Sequence, residues 1–204
     1  MDVTATRSPA ATRGLRLAPP AAFVLMGATL GLVLFAASTP SPLYPVYEHR
    51  FGFSPVTLTA IFAVYAFALV AALLTTGALS DRVGRRPVLL VSLLLLAAAM
   101  AVFALAGGVG WLFVARILQG LGTGVATGTL SAALIDLQPR PGMGPTVSAV
   151  APALGLAVGA LATGALVQHG PAPRQLVFWL LVGAFLVTAA ALAVVPETVP
   201  YSPG

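Results

Sequence analysis

The chain has 204 residues, of which 59% are hydrophobic and 7% charged, and its mean hydropathy is +1.01, whereas a soluble domain carries about one charged residue in four. These values describe a membrane protein, and at about 20 apolar residues per helical span the length holds roughly six crossings and excludes a large soluble domain. The net charge of +5 comes from ten basic residues, all Arg and scattered between apolar runs, which excludes the clustered footprint of a nucleic-acid partner; without Cys, neither a disulfide framework nor a thiolate metal site is available.

Residues 1–18 form a polar, cytoplasmic N-terminus with Arg7, Arg13 and Arg16. The apolar run at about 20–38 has the charged start and small residues, Ala36 and Ala37, of a signal peptide. It is long for a signal core and more apolar runs follow, so it reads as an uncleaved first span. Pro40, Pro42 and Pro45 mark the break after it, and Tyr44 and Tyr47 read as anchors at the outer interface in preference to substrate contacts. The further spans fall at about 55–79, 87–106, 111–137, 145–168 and 175–195, giving a six-span unit over 19–196, with 197–204 as a tail or the start of a central cytoplasmic loop. None of these runs alternates strictly between apolar and polar residues, so helices and not a barrel satisfy the backbone in lipid. With the N-terminus inside, inner segments hold Arg7, Arg13, Arg16, Arg82, Arg85, Arg86 and Arg140 while outer segments hold only Arg50 and Arg174. The positive-inside rule then places both termini in the cytoplasm.

Gly77-Ala78-Leu79 at the end of span two recurs as Gly164-Ala165-Leu166 near the end of span five. Inverted three-span repeats would produce such an echo, and so would chance in an Ala-rich chain. His49 and His169 fall in outer loops, too far apart in sequence to argue for a metal site, and no cofactor is implied. By these boundaries spans one, two, three, five and six contain no Asp, Glu or His. The chain therefore offers neither a proton-carrying carboxylate at mid-membrane nor the cluster that an intramembrane enzyme needs.

The densest charge cluster is Gly77-Ala78-Leu79-Ser80-Asp81-Arg82-Val83-Gly84-Arg85-Arg86, on a short inner turn followed by Pro87. A topogenic anchor explains its Arg residues but not Asp81, because acids contribute little to orientation. Asp81 fits better as a partner for an Arg or a helix N-terminus, and Gly84 relieves strain in the turn. This segment resembles the signature of the major facilitator superfamily after its second span, G-x-L-[small]-D-[RK]-x-G-[RK]-[RK], with every fixed position met. The resemblance implies a transporter in which Gly77 permits close helix approach, Asp81 meets a helix end of the other half, and Arg85 joins a charge relay with an acid at the inner end of span four, where Asp136 sits. The cluster, including Arg82 and Arg86, would then latch the inner gate.

Span four carries Arg116, Gln119, Thr123 and Thr127 as a polar stripe at helical spacing. Arg at the centre of an apolar helix costs about 3 kcal/mol on insertion scales, so it turns to a cavity or the bundle interior, or it snorkels to an interface. Arg116 is only about 8 Å along the axis from Trp111, which keeps snorkelling open; the stripe favours the cavity. The superfamily has the same R-x-x-Q-G-x-G pattern here, and the resemblance implies a part for the Arg in substrate binding or proton coupling. Gly120, Gly124 and Gly128 recur every four residues as a close-packing face. In span five Gly155 and Gly159 offer another, although the Pro and one Gly of the superfamily's antiporter signature are missing and Pro152 supplies only a nearby kink. Tyr65 and Phe62 in span two are further cavity candidates.

The expected fold is an all-α membrane protein of six transmembrane helices, similar to the N-terminal bundle of a major facilitator transporter with its two inverted three-helix repeats. The expected function is transport of a small solute by alternating access, an efflux-type permease being one form. Its expected partners are the lipid bilayer, a small-molecule substrate, and a second six-helix half or a second copy. The chain ends where the superfamily's central loop would begin, so it is a fragment or truncated product, or two copies pair. The competing reading is a non-transporting half that pairs with another membrane protein.

Overall fold

A computed structural model of the chain describes the backbone of residues 19–170, 172 and 174–194, and their side chains except at 19, 76–83 and 194. The elements are α1 (Pro19–Ser38), a 3-10 turn (Ser41–Leu43), α2 (Tyr44–Phe51), α3 (Pro55–Val83), α4 (Arg85–Ala104), α5 (Val109–Leu137), α6 (Met143–His169) and α7 (Leu176–Val194). Among the described residues six segments are long and apolar enough to cross a membrane, α1 and α2 counting as one of them. The fold is thus an all-α membrane bundle, the arrangement that lets each segment satisfy its own backbone in lipid.

The proline-rich stretch after the first span folds differently from the loop expected of it. Pro40 keeps helical dihedrals, with φ −68° and ψ −19°, and the chain passes through one 3-10 turn into α2. Proline tolerates the first turn of a helix because its missing N–H would be unsatisfied there anyway, so Pro45 helps to start α2 where it had been expected only to break structure. His169 likewise closes α6 as its last residue and does not sit in a loop. Between α3 and α4 the single residue Gly84 has φ +94° and ψ 151°, a region essentially reserved for glycine. It reverses the chain with no further residues, which places Arg85 at the first position of α4. The packing of Gly77 and the side chains of Asp81 and Arg82 lie outside the described residues.

Helix α5 is the centre of the bundle: α3, α4 and α1 pack along it, α6 packs along α1, and α7 packs along α4. Exchanging the unit α1, α3, α4 with the unit α5, α6, α7 turns the α3–α5 pair into the α6–α1 pair and returns the α1–α5 and α4–α7 pairs to themselves. These pairs are related as in a repeated three-helix unit, whereas among the described residues the α4–α5 pair has no α7–α1 counterpart of comparable extent. Leu30, Val33, Leu93, Leu96, Met100, Leu112, Leu130 and Phe185 fill the centre, and Phe103 stacks on Phe178 with ring centres 5.0 Å apart. Outward, α3 and α6 present large apolar side chains such as Phe67, Leu74, Leu154 and Leu161.

Small residues let two helix pairs approach closely. A Cβ on Gly120 would stand 2.5 Å from the Tyr65 carbonyl oxygen, and one on Gly124 would stand 2.5 Å from that of Leu69, so α3 and α5 touch backbone to backbone there. A Cβ on Gly155 would collide with the Gly31 carbonyl, and one on Gly159 would lie 2.5 Å from that of Phe35; α6 and α1 meet in the same way. Gly128 does not continue the series. Its nearest neighbour would be the flexible tip of Leu73 at 3.7 Å, because the two backbones stand further apart at that turn. Gly122, which the four-residue spacing omits, faces α4 instead, where an added Cβ would stand 2.8 Å from Leu96 Cγ. Helix α6 runs unbroken past Pro152.

Candidate functional site

An α-helix ends with carbonyls that have no donor, and the sequence after α1 makes this worse. The carbonyl of Ala36 should accept from the N–H of residue 40, but that residue is proline and has none. Helix α5 supplies the missing donors from two side chains one turn apart. Gln119 Nε2 donates to the Ala36 carbonyl at 2.7 Å, and Arg116 Nη1 donates to the Ala37 carbonyl at 3.3 Å. Arg116 Nη1 also donates to Gln119 Oε1 at 2.7 Å, which orients the amide. The i, i+3 spacing of the two residues thus spans two consecutive orphan carbonyls of the broken helix.

Arg116 is 1% exposed, the largest fully buried side chain among the described residues. A buried guanidinium carries a desolvation penalty of several kcal/mol unless its surroundings compensate. Three kinds of neutral group do so here. Its Nε donates to the Tyr44 hydroxyl at 2.6 Å. Its Cζ lies 5.3, 5.2, 5.1 and 5.8 Å from the ring centres of Tyr44, Phe62, Tyr65 and Phe103, within the range of cation–π attraction. The C-terminal end of α1, negative by the helix dipole, faces it through the Ala37 carbonyl. Arg116 therefore does not snorkel to the outer interface.

Thr123 continues the stripe, fully buried, its hydroxyl against Tyr65 without a hydrogen bond of good geometry. Thr127 is part-buried and its hydroxyl also has no partner. The structure thus gathers Arg116, Gln119, Thr123 and Tyr65. It adds Tyr44, which the sequence had suggested as an interfacial anchor; with 2% exposure it belongs to the bundle interior. Tyr47, also buried, donates to the Phe103 carbonyl at 3.4 Å, and the two bonds tie α2 to α5 and α4.

Some 30 Å along α5 by the helical rise, a second polar group forms. Arg85 and Asp136 make an ion pair between α4 and α5, and Arg86 donates through Nη2 to the Ala193 carbonyl in the last turn of α7. Arg86 therefore does for α7 what Arg116 does for α1: it brings a guanidinium to carbonyls at a helix end. The side chains of the ion pair are 25% and 46% exposed, so its contribution to stability is at most about 1 kcal/mol. Among the described residues it is the only ion pair.

Gln119→Leu is expected to leave the Ala36 carbonyl without a donor and to destabilise the bundle by about 1–2 kcal/mol. In a Pro40→Ala background the loss should shrink, because the restored N–H points at the same carbonyl. Unfolding titrations in detergent on the four proteins of this cycle measure the coupling; equal losses in both backgrounds would refute the proline account.

A family model described as Major Facilitator Superfamily matches residues 21–204. The chain is 35% identical over 80 residues to the multidrug resistance protein MdtL of Shewanella sp. (strain ANA-3), covering 39% of this chain and 20% of that protein. It is 32% identical over 124 residues to the uncharacterized MFS-type transporter C18.02 of Schizosaccharomyces pombe, covering 58% of this chain and 28% of the relative. A crystal structure of a mutant peptide transporter POT in complex with sulfate superposes with a TM-score of 0.71 at 22% identity, covering 84% of this chain and 37% of that one. The matched stretches thus cover well under half the length of each of these proteins.

Proposed function

Because the chain belongs to the major facilitator superfamily, we propose that its six helices form one half of a secondary transporter that moves a small solute across the cell membrane by alternating access. The observation that carries this reading is Arg116. A guanidinium buried within a single six-helix unit, balanced only by neutral groups and set beside Tyr65, Thr123 and Gln119, marks a polar site inside an apolar bundle, and buried charge in a membrane is expensive enough to signal function. A second six-helix unit, from a longer chain or a second copy, packs on the apolar outer faces of α3 and α6 and completes the pathway. Both termini of this unit are cytoplasmic, and transport runs outward, as the name of the Shewanella relative supports.

In this reading the segment Gly77, Asp81, Arg82, Gly84, Arg85 and Arg86 forms the inner gate with Asp136. The Arg85–Asp136 pair holds α4 to α5 while Asp81 reaches the other unit. The test is loss of preloaded dyes, ethidium as the cation and carboxyfluorescein as the anion, from energised cells expressing the chain together with its second unit. Faster loss of at least one dye is expected, with Asp81→Asn slowing it several-fold at unchanged membrane insertion. No dye movement, or an Asp81→Asn variant as fast as the parent, would count against transport or against the latch respectively.

A further inference from the structure

The hydrogen bonds of Arg116 are unevenly distributed over its guanidinium. Nη1 is used twice, by Gln119 and by the Ala37 carbonyl. The opposite edge is formed by Nε and Nη2, whose N–H bonds run parallel and match the two oxygens of a carboxylate. Here Nε holds one neutral oxygen, that of Tyr44 at 2.6 Å, and Nη2 is buried without a hydrogen-bond partner. An edge built for two acceptors is occupied by one. No carboxylate of the described residues competes for it: Asp136 is paired with Arg85 at the far end of α5, and Glu48 makes no ion pair with Arg116.

The geometry points to this Nε–Nη2 edge as the recognition site for a small carboxylate with an apolar or aromatic body, and to Tyr44 as the group that occupies the edge when the ligand is absent. The identification of a solute class rests on the transport reading above. The incoming carboxylate takes both N–H groups, the charge of Arg116 gains a counter-ion of opposite sign, and the phenol oxygen leaves. The body of the ligand meets the rings of Tyr44, Phe62 and Tyr65, whose centres already lie within 5.3 Å of Arg116 Cζ; Phe62, at 40% exposure, is the ring of the three that reaches the surface. Tyr44 is the first residue of α2, and its displacement frees the first turn of that helix from α5. Binding and movement of the outer segment are thus linked through one hydrogen bond.

The experiment measures equilibrium binding of radiolabelled benzoate to the full chain in nanodiscs at pH 7.5, where benzoate is ionised, with no flux involved. Saturable binding is expected, with neutral benzamide and cationic benzamidine failing to compete. Arg116→Lys keeps the charge but loses the fork and should weaken binding by about tenfold or more. Tyr44→Phe removes the competing oxygen and should tighten binding by about fivefold, a gain that misfolding cannot imitate. Absence of saturable binding, equal competition by benzamide, or weaker binding by Tyr44→Phe would overturn the inference. Benzoate binding without any dye transport would uphold it and sink the transport reading, whereas dye transport without benzoate binding would do the reverse.

Discussion

Gly124→Leu is expected to destabilise the bundle by about 3 kcal/mol, the upper end of what overpacking costs, and to reduce the folded yield in membranes sharply. Even the first carbon of the new side chain would lie 2.5 Å from the Leu69 carbonyl oxygen and 2.7 Å from Ala72 Cβ. Neither is the far end of a flexible side chain. Relief therefore requires α3 and α5 to move apart, and helix pairs in lipid are held chiefly by the van der Waals contact that such a movement destroys. Gly128→Leu serves as the control on the same helix. Its nearest obstacle is a Leu73 methyl at 3.7 Å, which a rotamer change clears, so its effect should stay within about 1 kcal/mol. Unfolding midpoints of the two variants in detergent decide the matter; similar losses would show that close backbone approach is not what holds this pair.

The second large effect is expected at Arg116. Arg116→Leu removes the charge and with it the desolvation penalty, yet it deprives Tyr44 and Ala37 of their donor and leaves Gln119 Oε1 free. Two or three buried acceptors without partners cost about 1–3 kcal/mol each, more than one well-packed leucine returns. Transport by the assembled protein should fall about a hundredfold, and by at least about tenfold for Arg116→Lys, because the ammonium presents no planar fork to a ligand or to Tyr44. Initial rates of dye efflux, normalised to protein in the membrane, give the measurement. Wild-type rates in Arg116→Lys would reduce the residue to a structural prop for α1.

Much of this arrangement is legible in the sequence for physical reasons. Apolar runs of bilayer length announce helices because lipid leaves the backbone no alternative, and the spacing of Arg116, Gln119 and Thr123 announces one face of α5. Gly120 and Gly124 are legible as a contact; the place where α3 departs from α5 is not, since it depends on where two helix axes cross, and the spacing alone cannot set Gly128 apart. The prolines after Ser38 look like punctuation, yet a proline fits well in the first turn of a helix, and so α2 is hidden in the sequence. The partners of Arg116 were the least legible. Backbone carbonyls carry no residue-type signature, and only one signal was available: a proline four positions after Ala36 leaves that carbonyl in need of a donor. The same holds for Arg86 and Ala193, which nothing local to the turn between α3 and α4 connects.

The proline break in α1 also has a consequence for biogenesis. The donor that satisfies Ala36 lies 83 residues later in the chain. At the usual elongation rates of 5–20 residues per second, α1 therefore waits about 4–17 s between leaving the ribosome and acquiring its lasting partner. Throughout that interval the C-terminal end of α1 carries carbonyls that only water or lipid headgroups can serve. In this sense α1 is finished only once α5 has been made, long after α1 itself.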